Sequence, residues 1–165
     1  MQIAKSFGAD VTGICSTRNV DMVRSIGADR VIDYTLEDFT KSGRRYDLLF
    51  DCIGNHSLLA CTRVLNPTGI CVMVGEKSGR GMIGILARLI TALVLSRFVS
   101  QKLVTFLARP KKEDLTIMRE LMATGKVKPV IDRCYSLSEV PEAIRYLAKG
   151  HAQGKVVITL GHNET

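Results

Sequence analysis

Apolar positions along the chain fall into short unbroken runs separated by amphipathic stretches. Leu48, Leu49 and Phe50 are consecutive, and Ile70 to Val74 forms a second continuous run. Neither run expects water on either face, which marks parallel strands covered by helices on both sides. Tyr46 to Gly54 is too short for a buried helix, so it reads as the central strand, with the segment 47–51 internal to the sheet. It closes in Asp51, Cys52, Ile53 and Gly54, where a small residue lets a ligand approach the backbone. In open parallel sheets ligands sit beyond the carboxyl ends of strands, which makes the Gly54 end the ligand side.

The remaining elements follow in chain order. Ile3, Ala4 and Phe7 have helical spacing, and Gly8 can stop that helix. Val11 to Cys15 reads as a strand. Val20, Val23 and Ile26 give the next helix its inner face, and Val31 and Ile32 start the next strand, which closes at Asp33 and Tyr34. Lys5-Ser6-Phe7-Gly8-Ala9-Asp10 is echoed by Arg24-Ser25-Ile26-Gly27-Ala28-Asp29, the same helix-to-strand join used twice. A helical turn is expected near Glu37 to Phe39, and a helix over His56 to Leu65. Asn66-Pro67-Thr68-Gly69 has the residue types of a turn. Gly75 to Gly84 reads as a glycine-rich basic loop, Met82 to Val99 as a long helix, and Leu103 to Leu107 as an edge strand. Glu113 and Asp114 open a helix with Leu115, Met118, Leu121 and Met122 on its inner stripe, and Gly125 ends it. Val130 and Ile131 are extended. Ser138 is the expected N-cap of a helix with Val140, Ala143, Ile144 and Leu147 inward. Val156 to Leu160 is the last strand. Strands alternating with helices predict an α/β, Rossmann-like doubly wound parallel sheet.

Composition narrows the class. The chain has 165 residues, 46% of them hydrophobic and 24% charged, enough for a core and unlike a disordered chain. Cys15, Cys52, Cys61, Cys71 and Cys134 show no CxxC spacing, which points to reduced thiols in a cytoplasmic protein. Arg88 and Arg97 interrupt the longest apolar stretch, so no membrane partner is expected. The net charge is +7, and from Lys77 to Lys112 there are cations and no acids. Such a run can serve an anion or an acidic partner; few aromatics are interleaved, so a solvated surface and no nucleic-acid partner are the expectation. No Ser-His-Asp or Cys-His set is visible, and His56, His151 and His162 are not taken as catalysts; the catalytic residues stay unknown.

Several segments together resemble the C-terminal half of the medium-chain dehydrogenase/reductase superfamily, on its quinone oxidoreductase-like, zinc-independent side. They are Gln2-Ile-Ala-Lys5, Gly27-Ala-Asp29 with Val31-Ile-Asp-Tyr34, Asp47 to Gly54, Val72-Met-Val-Gly75, Gly125-Lys-Val-Lys-Pro-Val-Ile-Asp132 and Gly154-Lys-Val-Val157. The resemblance implies a partial nucleotide-binding domain over 1–125 and a return segment, strand-helix-strand, over 126–165. The family's first strand and its glycine-rich turn would precede Gln2, so the chain looks like a partial member and is expected to be a poor enzyme alone. The resemblance further implies hydride transfer from NADP(H) to a quinone or conjugated carbonyl, no zinc, and a homodimer through the edge strand 103–107.

NAD enzymes of this fold usually place an acid on the ribose 2′-OH at the end of the second strand. Here Cys15-Ser16-Thr17-Arg18 has no acid and one guanidinium. Ser16 can hydrogen-bond a 2′-phosphate and Arg18 can grip it with two N–H groups. The plainer alternative is that Ser16 and Thr17 cap the next helix and Arg18 is solvated. The resemblance adds Tyr34 beside the adenosine phosphate, which favours NADP(H) over NAD(H), and places Gly54, Val74, Gly75 and Phe106 along the cofactor. In the plainer alternative these four are a turn glycine and core residues. A second functional reading remains from a different class: a non-catalytic remnant, or a partner- or anion-binding module that uses the basic region 77–112.

Overall fold

The computed structural model describes residues 1–74, 81–105, 111–150 and 152–160. The chain divides into two compact units, Met1–Thr35 with Lys111–Thr165, and Leu36–Pro110. All strand pairing among the described residues is parallel, in three separate sheets.

The first unit opens with α1 (Gln2–Ser6), β1 (Thr12–Cys15), a 3-10 turn over Thr17–Asn19, α2 (Val20–Ser25) and β2 (Arg30–Asp33). β1 and β2 pair in register from Thr12 opposite Arg30 to Cys15 opposite Asp33. Ion pairs link the two echoed joins. Lys5 of the first copy pairs with Asp29 of the second at 2.8 Å, and Arg30 pairs with Asp10 at 3.2 Å. Asp29 also accepts from the Val11 N–H at 2.7 Å, so one carboxylate ties the helix end to the strand start. The Lys5 bond, then the Val11 bond, hold its carboxyl below the usual aspartate range.

The chain returns to this unit through α5 (Lys112–Ala123), β6 (Ile131–Ser136), a 3-10 turn over Leu137–Glu139, α6 (Val140–Ala148) and β7 (Lys155–Thr159), with β6 and β7 paired. Three details differ from the sequence reading. The acid–serine box before α6 is built on Ser136, whose N–H and Oγ both donate to Glu139 at 2.8 and 2.7 Å, rather than on Ser138. A 3-10 turn precedes the helix, and that moves the capping residue back by two. Leu115 and Met122 of α5 and Ile144 and Leu147 of α6 are exposed, while Ala143 is buried. Periodicity identified the apolar faces; it carries no information on what covers them.

The second unit contains a 3-10 turn over Phe39–Lys41, then β3 (Tyr46–Asp51), α3 (Leu58–Arg63), β4 (Leu65–Met73), α4 (Gly81–Leu95) and β5 (Lys102–Thr105). Its sheet order is β3-β4-β5. The expected central segment 47–51 is therefore an edge of its sheet, and β4 is the interior strand. Leu48 and Phe50 are 55% and 56% exposed, so the run is not buried on both faces. β4 is covered instead: Leu65 and Cys71 are fully buried and pack in one cluster with Leu58, Cys61, Met73 and Ala92. β5 is the other edge, as expected for the segment beginning at Leu103.

The turn expected at Asn66 to Gly69 lies inside β4. Tyr46 stands opposite Leu65 and Leu48 opposite Ile70, so four turn-type residues bulge out without ending the strand. Gly69 is needed there because a Cβ would stand 3.0 Å from the Asn66 carbonyl oxygen and 3.1 Å from that of Tyr46. α3 is also shorter than expected, because Ser57 caps it by accepting from Ala60 N–H at 3.2 Å and Leu65 already belongs to β4. The glycine-rich loop is partly helical: α4 begins at Gly81, while residues 75–80 lie outside the described residues.

Candidate functional site

Two strand-end clusters carry the sequence-derived candidates, one in each unit. In the first unit, β1 ends at Cys15 and its neighbour β2 at Asp33. The Tyr34 N–H donates to the Cys15 carbonyl at 3.0 Å, which holds the two ends side by side. Ser16 is extended and leads into the 3-10 turn that carries Thr17 and Arg18. Its hydroxyl makes no cap hydrogen bond, contrary to the capping alternative. Ser16, Arg18 and Tyr34 thus come together at the carboxyl ends of paired parallel strands. Arg18 and Tyr34 are exposed and Ser16 is half-buried.

Side chains that the sequence reading passed over brace this cluster. The Thr17 and Thr35 hydroxyls lie 2.9 Å apart. Thr35 donates to Asp33 through its N–H at 2.9 Å and its hydroxyl at 2.7 Å. Hydrogen bonds from Thr17 first, and from Thr35, keep the Asp33 carboxyl below the ordinary aspartate range. From the return segment, Gln153 Nε2 donates to the Arg18 carbonyl at 3.0 Å and to Asn19 Oδ1 at 2.9 Å. Gln153 is fixed in turn by its N–H, which donates to Asp132 at 3.0 Å, where the Tyr146 hydroxyl also donates at 2.6 Å. Gln153 lies 135 positions from Arg18 in the chain, so no local pattern could have revealed it.

In the second unit, β3 ends at Asp51 and β4 at Met73. The Val74 N–H donates to the Asp51 carbonyl at 2.9 Å. The Asp51 side chain accepts from the Ile53 N–H at 3.2 Å and the Gly54 N–H at 2.8 Å. Gly54 has φ 70°, a left-handed backbone that glycine adopts at no steric cost. Arg88 of α4 forms an ion pair with Asp51, their side chains 10% and 12% exposed. Its other Nη donates to the Gly54 carbonyl at 3.0 Å and lies 3.5 Å from that of His56. An open pocket of ≈ 260 Å³ borders Arg88, lined with it by Leu58, Gly84, Ala87 and Thr91. Gly54 is buried and Val74 exposed. Gly75 and Phe106 lie outside the described residues.

Arg88 was counted with the basic run in the sequence reading; in the structure it is an internal partner of Asp51. The signal was available, because a single cation in the apolar stretch Met82 to Leu95 needs a partner if it turns inward. His56 packs edge-on against Phe39 at 4.9 Å between ring centroids. Cys15, Cys61 and Cys71 are buried, Cys52 and Cys134 exposed, and all five are free thiols. Burial, reinforced by Asp33, pushes the Cys15 thiol up. Cys61 donates to Cys71, which raises the Cys61 thiol and lowers that of Cys71.

Parallel strands joined through helices, with candidate residues at their carboxyl ends, define a Rossmann-like α/β class. A family model described as zinc-binding dehydrogenase matches residues 26–158, and the chain belongs to that family, within the medium-chain dehydrogenase/reductase superfamily. It is 35% identical over 162 residues to the chloroplastic quinone-oxidoreductase QR1 of Triphysaria versicolor, covering 96% of this chain and 47% of that one. It is 31% identical over 177 residues to the mitochondrial NAD(P)H oxidoreductase RTN4IP1 of Mus musculus, covering 97% and 44% respectively. Among solved structures, the quinone oxidoreductase from Coxiella burnetii superposes with a TM-score of 0.72 at 25% identity, covering 95% of this chain and 47% of that one. The chain spans about half the length of the curated relatives it matches.

The family description names zinc. Tetrahedral zinc takes three or four His, Cys or carboxylate donors. Among the described residues no three such side chains gather to hold a metal ion, so these residues do not fit zinc. The residues do fit a nicotinamide dinucleotide in kind: a strand end with a hydroxyl and a guanidinium and no acid of its own, and a tied glycine turn. No helix among the described residues is long and apolar enough to cross a membrane.

Proposed function

We propose that this chain is the cofactor-binding part of an NADP(H)-dependent oxidoreductase that transfers hydride to a quinone or a conjugated carbonyl. The observation that carries the cofactor reading is the end of β1. Ser16 and Arg18 stand there with no acid between Cys15 and Asn19, and the Tyr34 N–H bonded to the Cys15 carbonyl sets Tyr34 beside them. A 2′-phosphate brings about two negative charges and several acceptor oxygens, which suit a hydroxyl and a guanidinium fork. The 2′-OH of NAD(H) offers neither, so NADP(H) is the preferred cofactor. Gly54, Val74, Gly75 and Phe106 are proposed for the nicotinamide half. The cofactor when bound supplies the hydride; the protein's part is to bind, orient and exclude water.

The substrate class rests on the relatives named as quinone and NAD(P)H oxidoreductases. The five free thiols suit a reducing compartment such as the cytoplasm. Among the described residues β5 is an edge of its sheet, and we assign to it an isologous homodimer. Light scattering over a range of concentrations tests the dimer, and a mass fixed at one chain would count against it. The cofactor preference is tested by competition between NADP⁺ and NAD⁺ in equilibrium dialysis. NADP⁺ should displace NAD⁺ at about a tenth of its concentration or less; equal potency would remove the basis for the preference.

A further inference from the structure

The geometry points to Arg88 and Asp51 as positioning residues for the nicotinamide half of the cofactor, acting by fixing both polar groups of the Gly54 backbone. This rests on the cofactor reading above and goes beyond it, because neither side chain belongs to the proposed contact set. Gly54 lies in a turn whose φ of 70° few other residues tolerate. Its N–H donates to Asp51 Oδ1 at 2.8 Å, and its carbonyl accepts from Arg88 Nη1 at 3.0 Å. Asp51 and Arg88 are bound to each other through Oδ2 and Nη2. These three bonds, with the Gly54 main chain between its two polar groups, close a ring: carboxylate, Gly54 N–H, Gly54 carbonyl, guanidinium. The main chain of Asp51 meanwhile accepts from the Val74 N–H at 2.9 Å. Asp51 therefore joins the two strand ends, Gly54 after β3 and Val74 after β4, that the cofactor reading assigns to the nicotinamide.

The chemistry requires these two residue types. A guanidinium presents several N–H donors in one plane and can bridge a carboxylate and a carbonyl together; an ammonium on a flexible stem is a point charge. A carboxylate offers two oxygens, and here one takes backbone N–H groups while the other takes Arg88. The pair is nearly excluded from solvent, so its bonds are strengthened by the low local dielectric. With its N–H and carbonyl both committed to Asp51 and Arg88, the buried Gly54 turn is held as a fixed backbone. A nicotinamide or its ribose seated at that strand end keeps its position only while the turn is fixed. A loosened turn would cost binding at that end and leave the adenosine end, built on Ser16, Arg18 and Tyr34, as it was.

The experiment compares two ligands on the full chain: NADPH, and adenosine 2′,5′-bisphosphate, which lacks the nicotinamide half. Binding is measured by NADPH fluorescence and by calorimetry for the bisphosphate. The variants are Arg88→Lys, which keeps charge but loses the fork, and the double variant Asp51→Asn with Arg88→Met, which leaves no unpaired buried charge. Folding is checked by circular dichroism and thermal unfolding; if the double variant does not fold, Arg88→Lys alone decides. The expected result is NADPH affinity reduced about tenfold or more with bisphosphate affinity unchanged within about twofold. Unchanged NADPH affinity in a folded variant overturns the inference. Equal loss for both ligands also overturns it, since that is what a merely structural pair would give. If the unaltered chain binds neither ligand, the cofactor reading itself fails and this inference falls with it.

Discussion

The two strand-end clusters solve opposite problems. In the first unit, the end of β1 keeps its recognition groups outward: Arg18 and Tyr34 are exposed, and the turn under them is braced by neutral hydroxyls and by Gln153 on the Arg18 carbonyl. In the second unit, the charged groups turn inward, and Asp51 and Arg88 tie down the Gly54 backbone. A site for a phosphate needs positive charge and hydrogen-bond donors within reach of solvent. A site for a flat, weakly polar ring needs a rigid backbone and little else. On the proposed cofactor reading, the same type of location, the carboxyl end of a parallel strand, is furnished for one job with side chains and for the other with main chain.

The contrast predicts that substitutions at the second cluster act on stability as well as on binding of the nicotinamide half, and that substitutions at the first act on ligand preference with little effect on stability. The largest effect is expected for Arg88→Met. It strands the Asp51 carboxylate in a nearly buried site, and such a loss costs about 3–5 kcal/mol. Urea unfolding should show the midpoint falling with little change in slope; a midpoint within experimental error of the parent would mean that the pair contributes nothing. Next is Arg18→Ala, expected to weaken NADPH binding about tenfold, equivalent to about 1.4 kcal/mol, while stability changes by less than about 0.5 kcal/mol. A large stability loss here would erase the distinction between the two clusters.

Smaller effects refine it. Thr35→Ala removes one hydroxyl from the brace around Asp33 and should cost NADPH binding less than about threefold, with stability lowered by about 0.5–1 kcal/mol. Titration calorimetry and thermal unfolding read both. The smallest effect concerns pH. The Asp29 carboxyl is held below its usual range by Lys5 and Val11, so the stability it contributes is present above the unfolded aspartate pKa and is lost as pH falls through the lower folded value. Asp29→Asn should therefore flatten the decline in thermal stability from about pH 4 downward. A decline as steep as in the parent would assign acid sensitivity to other groups.

Much of the fold was legible because strand and helix periods differ. The runs at Val11, Val31, Tyr46, Ile70, Leu103 and Val156 each yielded a strand, and the Lys5 and Arg24 echo marked two equivalent joins that the structure cross-links by ion pairs. Sheet order was not legible. Leu48 to Phe50 and Ile70 to Val74 look alike as sequences, yet one is an edge and the other the interior strand. The bulge at Asn66 to Gly69 was missed because turn-type residues describe a local backbone, and both a turn and a bulge can use it.

At the candidate site the same limit applies. Ser16 and Arg18 could be named because a strand end and its residue types are local features, and Tyr34 only through the family resemblance. Gln153 and the Asp51–Arg88 pair could not, because their partners lie 135 and 37 positions away. Arg88 in an apolar helix was the one visible hint, and reading it as surface charge hid its role.

The central claim is that the end of β1 reads a 2′-phosphate. Its most direct test is a paired fluorescence titration of the 165-residue chain with NADPH and NADH, repeated on Arg18→Ala. The account predicts NADPH bound about tenfold or more tighter than NADH, and a gap that closes in the variant because only NADPH weakens. Equal affinity for the two cofactors, or a gap that survives the loss of Arg18, would contradict it.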